Sequence, residues 1–146
     1  MMKFYSALVF TVALVILAIV YWDYTESTMK GNSENGIRKA MYKEQKIGGT
    51  PIGWLASIKQ KNKEKVTVKK LKFLEEDKVL VETTTFYEGR DDVDGTEYSL
   101  HPFSYPDLYL GDAPKEGLSY QVQIIWEDSS GNEYNDKIKL SKLEWP

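Results

Sequence analysis

From Phe4 to Trp22 the chain runs nineteen residues without a charge, FYSALVFTVALVILAIVYW. A helix rises ~1.5 Å per residue, so about 20 apolar residues are what a hydrocarbon core demands. Only Ser6 and Thr11 carry hydroxyls inside the stretch, and in a helix these bond back to the preceding turn. Phe4 and Tyr5 at one end, with Tyr21, Trp22 and Tyr24 at the other, have the placement of interfacial aromatic belts. The pattern predicts a transmembrane helix over 4–22 acting as a signal anchor. Lys3 precedes it, while Asp23 and Glu26 follow. By the positive-inside rule this leaves residues 1–3 in the cytoplasm and the remainder outside, a single-pass protein of the cell membrane. The competing expectation is a cleaved signal peptide. Its apolar core is usually about 7–15 residues with small residues after it, whereas bulky Tyr21 and Trp22 stand here.

Beyond a polar linker over 23–31, period-two alternation dominates. Ile52, Trp54, Ala56 and Ile58 alternate; Val66 and Val68 share one parity, and Leu71 and Phe73 take the other. A parity switch at Lys69-Lys70 is what a β-bulge produces. Val79, Val81, Thr83 and Thr85 form a further run. Tyr120, Val122, Ile124 and Trp126 alternate before Asp128-Ser129-Ser130-Gly131-Asn132, and Tyr134, Asp136, Ile138 and Leu140 return. That is a hairpin signature. Residues 37–45 suit either a helix or an exposed strand. Pro102, Pro106 and Pro114 interrupt the region between Glu88 and Gly117, where only a short edge strand over 107–110 is expected. Six or seven short strands predict an all-β fold, an immunoglobulin-like two-sheet sandwich over 32–146, with Trp54 and Trp126 at its centre.

Composition narrows function mainly by exclusion. The chain has no Cys and one His, which removes disulfides, thiolate metal sites, cysteine nucleophiles and multi-histidine metal centres. A net charge of -3 gives no global reason to expect nucleic acid as a partner. No phosphate-binding loop or nucleophile elbow is present, and His101 has no recognisable acid–base spacing. The expectation is a protein that is not an enzyme and needs no cofactor.

The segment Gly31-Asn32-Ser33-Glu34-Asn35, the run that follows to Gln45, and the closing hairpin with Val122-Gln123-Ile124-Ile125-Trp126 and Ile138-Lys139-Leu140 resemble small membrane-anchored or lipoprotein domains of unknown function from Bacillus-like Gram-positive bacteria. The resemblance implies an architecture and a location, and no activity.

Three clusters are candidate sites. Seven lysines between Lys59 and Lys72 face only Glu64. Lys59, Lys61, Lys63 and Lys65 are therefore candidate contacts to a polyanion, an anionic headgroup or an envelope polymer, against the plainer role of guarding a strand edge. Asp92, Asp94 and Glu97 lie in an acidic turn over 91–97 that contains Gly95, the kind of oxygen cluster that can wrap Ca²⁺, although the spacing does not match a helix–loop–helix calcium loop. His101, Phe103, Tyr105 and Tyr109 form an aromatic, proline-stiffened loop suited to a partner or glycan, or to capping the open end of a sandwich. The functional expectation is a membrane-tethered binding domain for a protein or envelope component. Its alternatives are an accessory subunit joined to a complex through the helix, and a secreted binding domain.

Overall fold

The computed structural model describes residues 2–26, 28–90 and 96–142. An N-terminal helix, α1 (Met2–Glu26), leads into ten strands: β1 (Thr28–Asn32), β2 (Arg38–Ile47), β3 (Thr50–Gln60), β4 (Thr67–Glu75), β5 (Lys78–Thr83), β6 (Gly89–Arg90), β7 (Glu97–Leu100), β8 (Phe103–Gly111), β9 (Tyr120–Glu127) and β10 (Glu133–Lys142). All ten belong to one antiparallel sheet, in the order β5-β4-β9-β10-β1-β2-β3-β8-β7-β6.

The two-sheet sandwich is therefore corrected to a single curled sheet. The element that overturns it is β1. It pairs with β2 on one side and β10 on the other, joining what would have been two separate sheets. Its sequence, Thr-Met-Lys-Gly-Asn, has no apolar period and reads as linker. Gly31 is required there because a Cβ would collide with the carbonyl oxygen of Lys139 on β10.

The curl can be measured. Strands in a sheet lie ~4.8 Å apart, so β4 and β8, six places apart in the order, would be about 29 Å apart if the sheet were flat. Instead the Phe73 ring of β4 is 5.2 Å from Tyr109 of β8, and 4.8 Å from Tyr42 of β2. Small side chains on the concave side make room for this: Ala40 lies opposite Ile58, and Ala56 opposite Tyr42, all four buried. Alternating small and large residues is how tapered barrel interiors are filled. The interior then holds Leu71, Phe73, Tyr120, Val122, Ile124, Ile138 and Leu140 from one half and Tyr42, Trp54, Ile58 and Phe103 from the other. Phe86, beyond β5, meets Phe103 and Tyr105 edge-on at 5.6 and 5.8 Å and bridges toward β8.

Local expectations fared unevenly. The parity switch is a bulge: β4 slips against β9 between Val68 and Lys70. Of residues 37–45, 38–45 are strand, within β2. The proline-bearing region is more ordered than a short edge strand, since β8 runs nine residues between β3 and β7. Pro106 is tolerated because Tyr105 pairs with Ile58 and Tyr109 with Ala56. The three residues 106–108 thus oppose Ser57 alone, and a bulge needs no ladder donor from proline. The His101-Pro102 peptide bond is cis.

The membrane-crossing expectation is also corrected. Among the described residues no helix is long and apolar enough to cross a membrane. The single-pass signal anchor, the cell-membrane location and the extracytoplasmic orientation built on it are withdrawn on that ground. The described apolar side chains of α1, including Val9, Phe10, Leu17 and Ile19, are exposed.

Candidate functional site

Because side chains alternate across a strand, the register that buries Tyr42, Ala56 and Ile138 turns another set outward. Lys137 and Lys139 of β10 lie opposite Gln123 and Gln121. Lys30 of β1 lies between Ser141 and Met41. On β2 the outward positions are Lys39, Met41 and Lys43; on β3 they are Leu55, Ser57 and Lys59. Six lysines thus share one convex face, and four strands span only about 14 Å. No acidic residue occupies an outward position of β1, of β2, of β3, or of β10 from Asn135 to Ser141. Acids on the flanking strands are engaged elsewhere: Asp107 of β8 accepts from the Tyr98 hydroxyl at 3.5 Å, Glu127 and Glu133 hold Lys69 at 2.6 and 3.8 Å, and Glu82 holds Lys70 at 3.1 Å. Lys69 is accordingly held above its ordinary pKa, chiefly by the hydrogen bond to Glu127. A chain that is net acidic thus carries one basic face.

The candidate polyanion contacts divide on this surface. Lys59 lies on the face. Lys61 follows β3 and donates from Nζ to Asn32 Oδ1 at 2.7 Å. Lys63 and Lys65 are exposed in the loop between β3 and β4, off the face. Lys39, Lys43, Lys137 and Lys139 were missed because they are scattered across strands far apart in sequence. The available signal was lysine at alternate positions, as in Lys137-Ile138-Lys139.

The aromatic candidates are dispersed differently. Phe103 is buried, Tyr105 and Tyr109 are half-buried, and Tyr109 belongs to the interior cluster with Tyr42 and Phe73. Only His101 is exposed, at the β7–β8 turn, beside a shallow cavity of about 260 Å³ lined with Phe86, Leu100 and Phe103. In the acidic turn, Glu97 pairs with Arg90 at 3.1 Å, whereas Asp92 and Asp94 lie outside the described residues. Among the described residues no group of three or more His, Asp or Glu side chains is placed to hold a metal ion.

Two interior polar arrangements escaped sequence reading. At one end, the fully buried Arg38 guanidinium lies 4.2 Å over the Trp126 ring. Its Nη1 is 3.4 Å from Asp136 Oδ2, which also accepts from Trp126 Nε1 at 3.0 Å. Burial pulls the Arg38 pKa down, opposed by the charges of Asp136 and Glu64. Gln60, the direct cross-strand neighbour of Arg38, donates to Asn62 Oδ1 at 2.7 Å and to the Glu64 carbonyl at 2.8 Å. At the other end, Tyr42 donates to the Asp112 carbonyl, and Tyr120 donates to Glu75 at 2.9 Å while accepting from the Lys115 amide at 2.8 Å. Burial raises the pKa of both phenols. They stay protonated and act as donors holding the β8–β9 connection.

No protein-family model, curated protein or solved structure matches the chain.

Proposed function

We propose that this chain is a non-enzymatic binding domain whose convex lysine face takes a polyanionic polymer, a partner with closely repeated negative charges. The observation that carries the reading is the set of Lys39, Lys43, Lys59, Lys137 and Lys139 on one face, with no acid at the outward positions of their strands between Asn135 and Ser141 or on β2 and β3. Isolated surface lysines are ordinary, but adjacent ones repel, and a one-signed field concentrates counter-charge and steers association. Catalysis draws no support from the interior. Its perturbed groups are phenols shifted away from ionisation and the Arg38 guanidinium, which provide neither a base nor a nucleophile near neutral pH.

The test is fluorescence anisotropy of labelled polyphosphate titrated with the full chain at several salt concentrations. Binding is expected to weaken roughly tenfold or more between ~50 and ~200 mM salt, as counterion release across several contacts requires. Replacing Lys39, Lys59, Lys137 and Lys139 together by Gln should abolish it, whereas replacing Lys63 and Lys65 should change it little. Equal binding by the face variant and the parent chain would end the proposal, and so would selective capture of an acidic protein over the polymer.

A further inference from the structure

A groove opens on the convex face where β8 swells away from β3. Residues 106–108 oppose Ser57 alone, so the strand backbones part and leave a depression of about 430 Å³. It is lined by Lys39, Met41, Ser57, Lys59, Lys61 and Pro106, together with Ile58 and Ser104. That volume lies within the range of small-molecule sites, about 300–1,000 Å³. The lining combines two chemistries. Met41 and Pro106 supply hydrocarbon. Lys39, Lys59 and Lys61 supply three ammonium groups.

The pairing of those lysines is the unusual feature. Lys39 and Lys59 are direct cross-strand partners in the β2–β3 ladder, and like charges directly opposite destabilise a sheet. Neither meets a carboxylate among the described residues. Lys61, beyond the end of β3, leans on the neutral Asn32 amide oxygen. A fold under selection for stability alone would gain by replacing one of the pair. An anion seated between them removes the repulsion, and its hydrocarbon body would cover Met41 and Pro106.

We infer that this groove is a binding site for a small amphiphilic anion, one phosphate or carboxylate carried on an alkyl or ring body. The head is held by Lys39 and Lys59, and the body lies along Met41 and Pro106. The site is separable from the polymer reading, because a bare polyphosphate has no apolar part to place there.

The experiment is NMR titration of the full chain with hexyl phosphate, with inorganic phosphate and hexanol run in parallel. Hexyl phosphate should shift the resonances of Met41, Ser57 and Lys59 and bind about tenfold tighter than inorganic phosphate, roughly the gain from burying two methylenes. Lys59→Gln should weaken it about tenfold and at the same time raise the Tm, because the repulsion with Lys39 is gone. Such opposite movement of binding and stability is what a merely solvated lysine would not give. Lys63→Gln should change neither. Inorganic phosphate binding as tightly as hexyl phosphate would overturn the inference, as would shifts confined to other residues or a lower Tm for Lys59→Gln. Loss of hexyl phosphate binding with polyphosphate binding intact would remove the groove and leave the polymer reading standing.

Discussion

Along β2 the inward side chains are Arg38, Ala40 and Tyr42, all buried, while the outward ones are Lys39, Met41 and Lys43. One strand therefore serves two selections. Inward, each residue is fitted to a neighbour: Ala40 and Ala56 are small where the sheet bends, Tyr42 fills the space beside Phe73, and Arg38 lies on Trp126. Outward, Lys39 faces Lys59, and no carboxylate among the described residues pairs with either. The difference locates stability on the concave side and leaves the convex side to the proposed polyanion.

The sharpest way to break that division is from inside. Phe73 is fully buried and its ring meets those of Tyr42, Tyr109 and Tyr120. Phe73→Ala is expected to cost about 4 kcal/mol, the usual sum of lost transfer energy and residual cavity, measured by urea denaturation. Polyphosphate affinity per folded molecule should be unchanged. If affinity falls while the protein remains folded, the two faces are coupled and the division fails.

Arg38 tests the same division with a charge. Arg38 is fully buried, while Asp136 keeps 28 % of its side chain exposed and its bond from Trp126, so removing Arg38 costs about 3 kcal/mol, the low end for one member of a buried pair. Arg38→Ala should lose about that much, while Arg38→Met, which restores volume over Trp126, should recover part of it. Equal loss in both variants would mean that charge rather than packing is what Arg38 contributes.

The parts of this architecture that were legible in sequence are those where a local pattern and the tertiary environment agree. The β9–β10 hairpin is legible because β9 buries one face along its whole length, and the turn residues make their own hydrogen bonds. The Lys69 bulge was readable as a change of parity. β1 was not, because a five-residue strand clamped between two others needs little apolar surface of its own; Met29 alone points into the core, and Gly31 is set by the closeness of β10. β8 was obscured by Pro106, which weighs against a strand until its bulge is known. The nineteen uncharged N-terminal residues pointed to a membrane crossing that the described helix does not support. The proposed binding face was legible only at Lys59, since the rest of it exists through register between strands more than a hundred residues apart in sequence, as where Lys30 pairs with Ser141.

From the outside, the comparison predicts little change in stability. Changing Lys39, Lys59, Lys137 and Lys139 together to Gln should alter unfolding free energy by no more than about 0.5 kcal/mol per site, the ordinary range for surface positions, with any net change favourable. The same variant should lose polyphosphate binding. A large destabilisation in denaturant titrations would show that these side chains support the fold and would weaken the case for a partner.

The smallest effect concerns a surface group that reaches the interior. The Asp128 carboxylate accepts hydrogen bonds from the amides of Asn132 and Ser130, both at 2.9 Å, from Asn132 Nδ2 at 3.3 Å and from the Tyr134 hydroxyl at 3.0 Å. All four favour the charged form, and the Asn132 amide leads in holding Asp128 below the ordinary carboxylate range. The bond to Asp128 raises the Tyr134 phenol in turn. Tyr134 stacks 4.4 Å from the Trp126 ring on which Arg38 lies, so the turn sets one wall of the Arg38 site. A pKa lowered by folding means that the unfolded chain binds the proton more readily. Its contribution is therefore complete above the unfolded value, ~3.9, and fades as pH falls through the folded one. The stability difference between the parent chain and Asp128→Asn, followed by urea denaturation, should be flat above about pH 5 and shrink below about pH 4. A difference that stays constant down to pH 3 would mean that the carboxylate charge does not hold the turn. Tyr134, Trp126 and Arg38 would then owe their positions to packing alone.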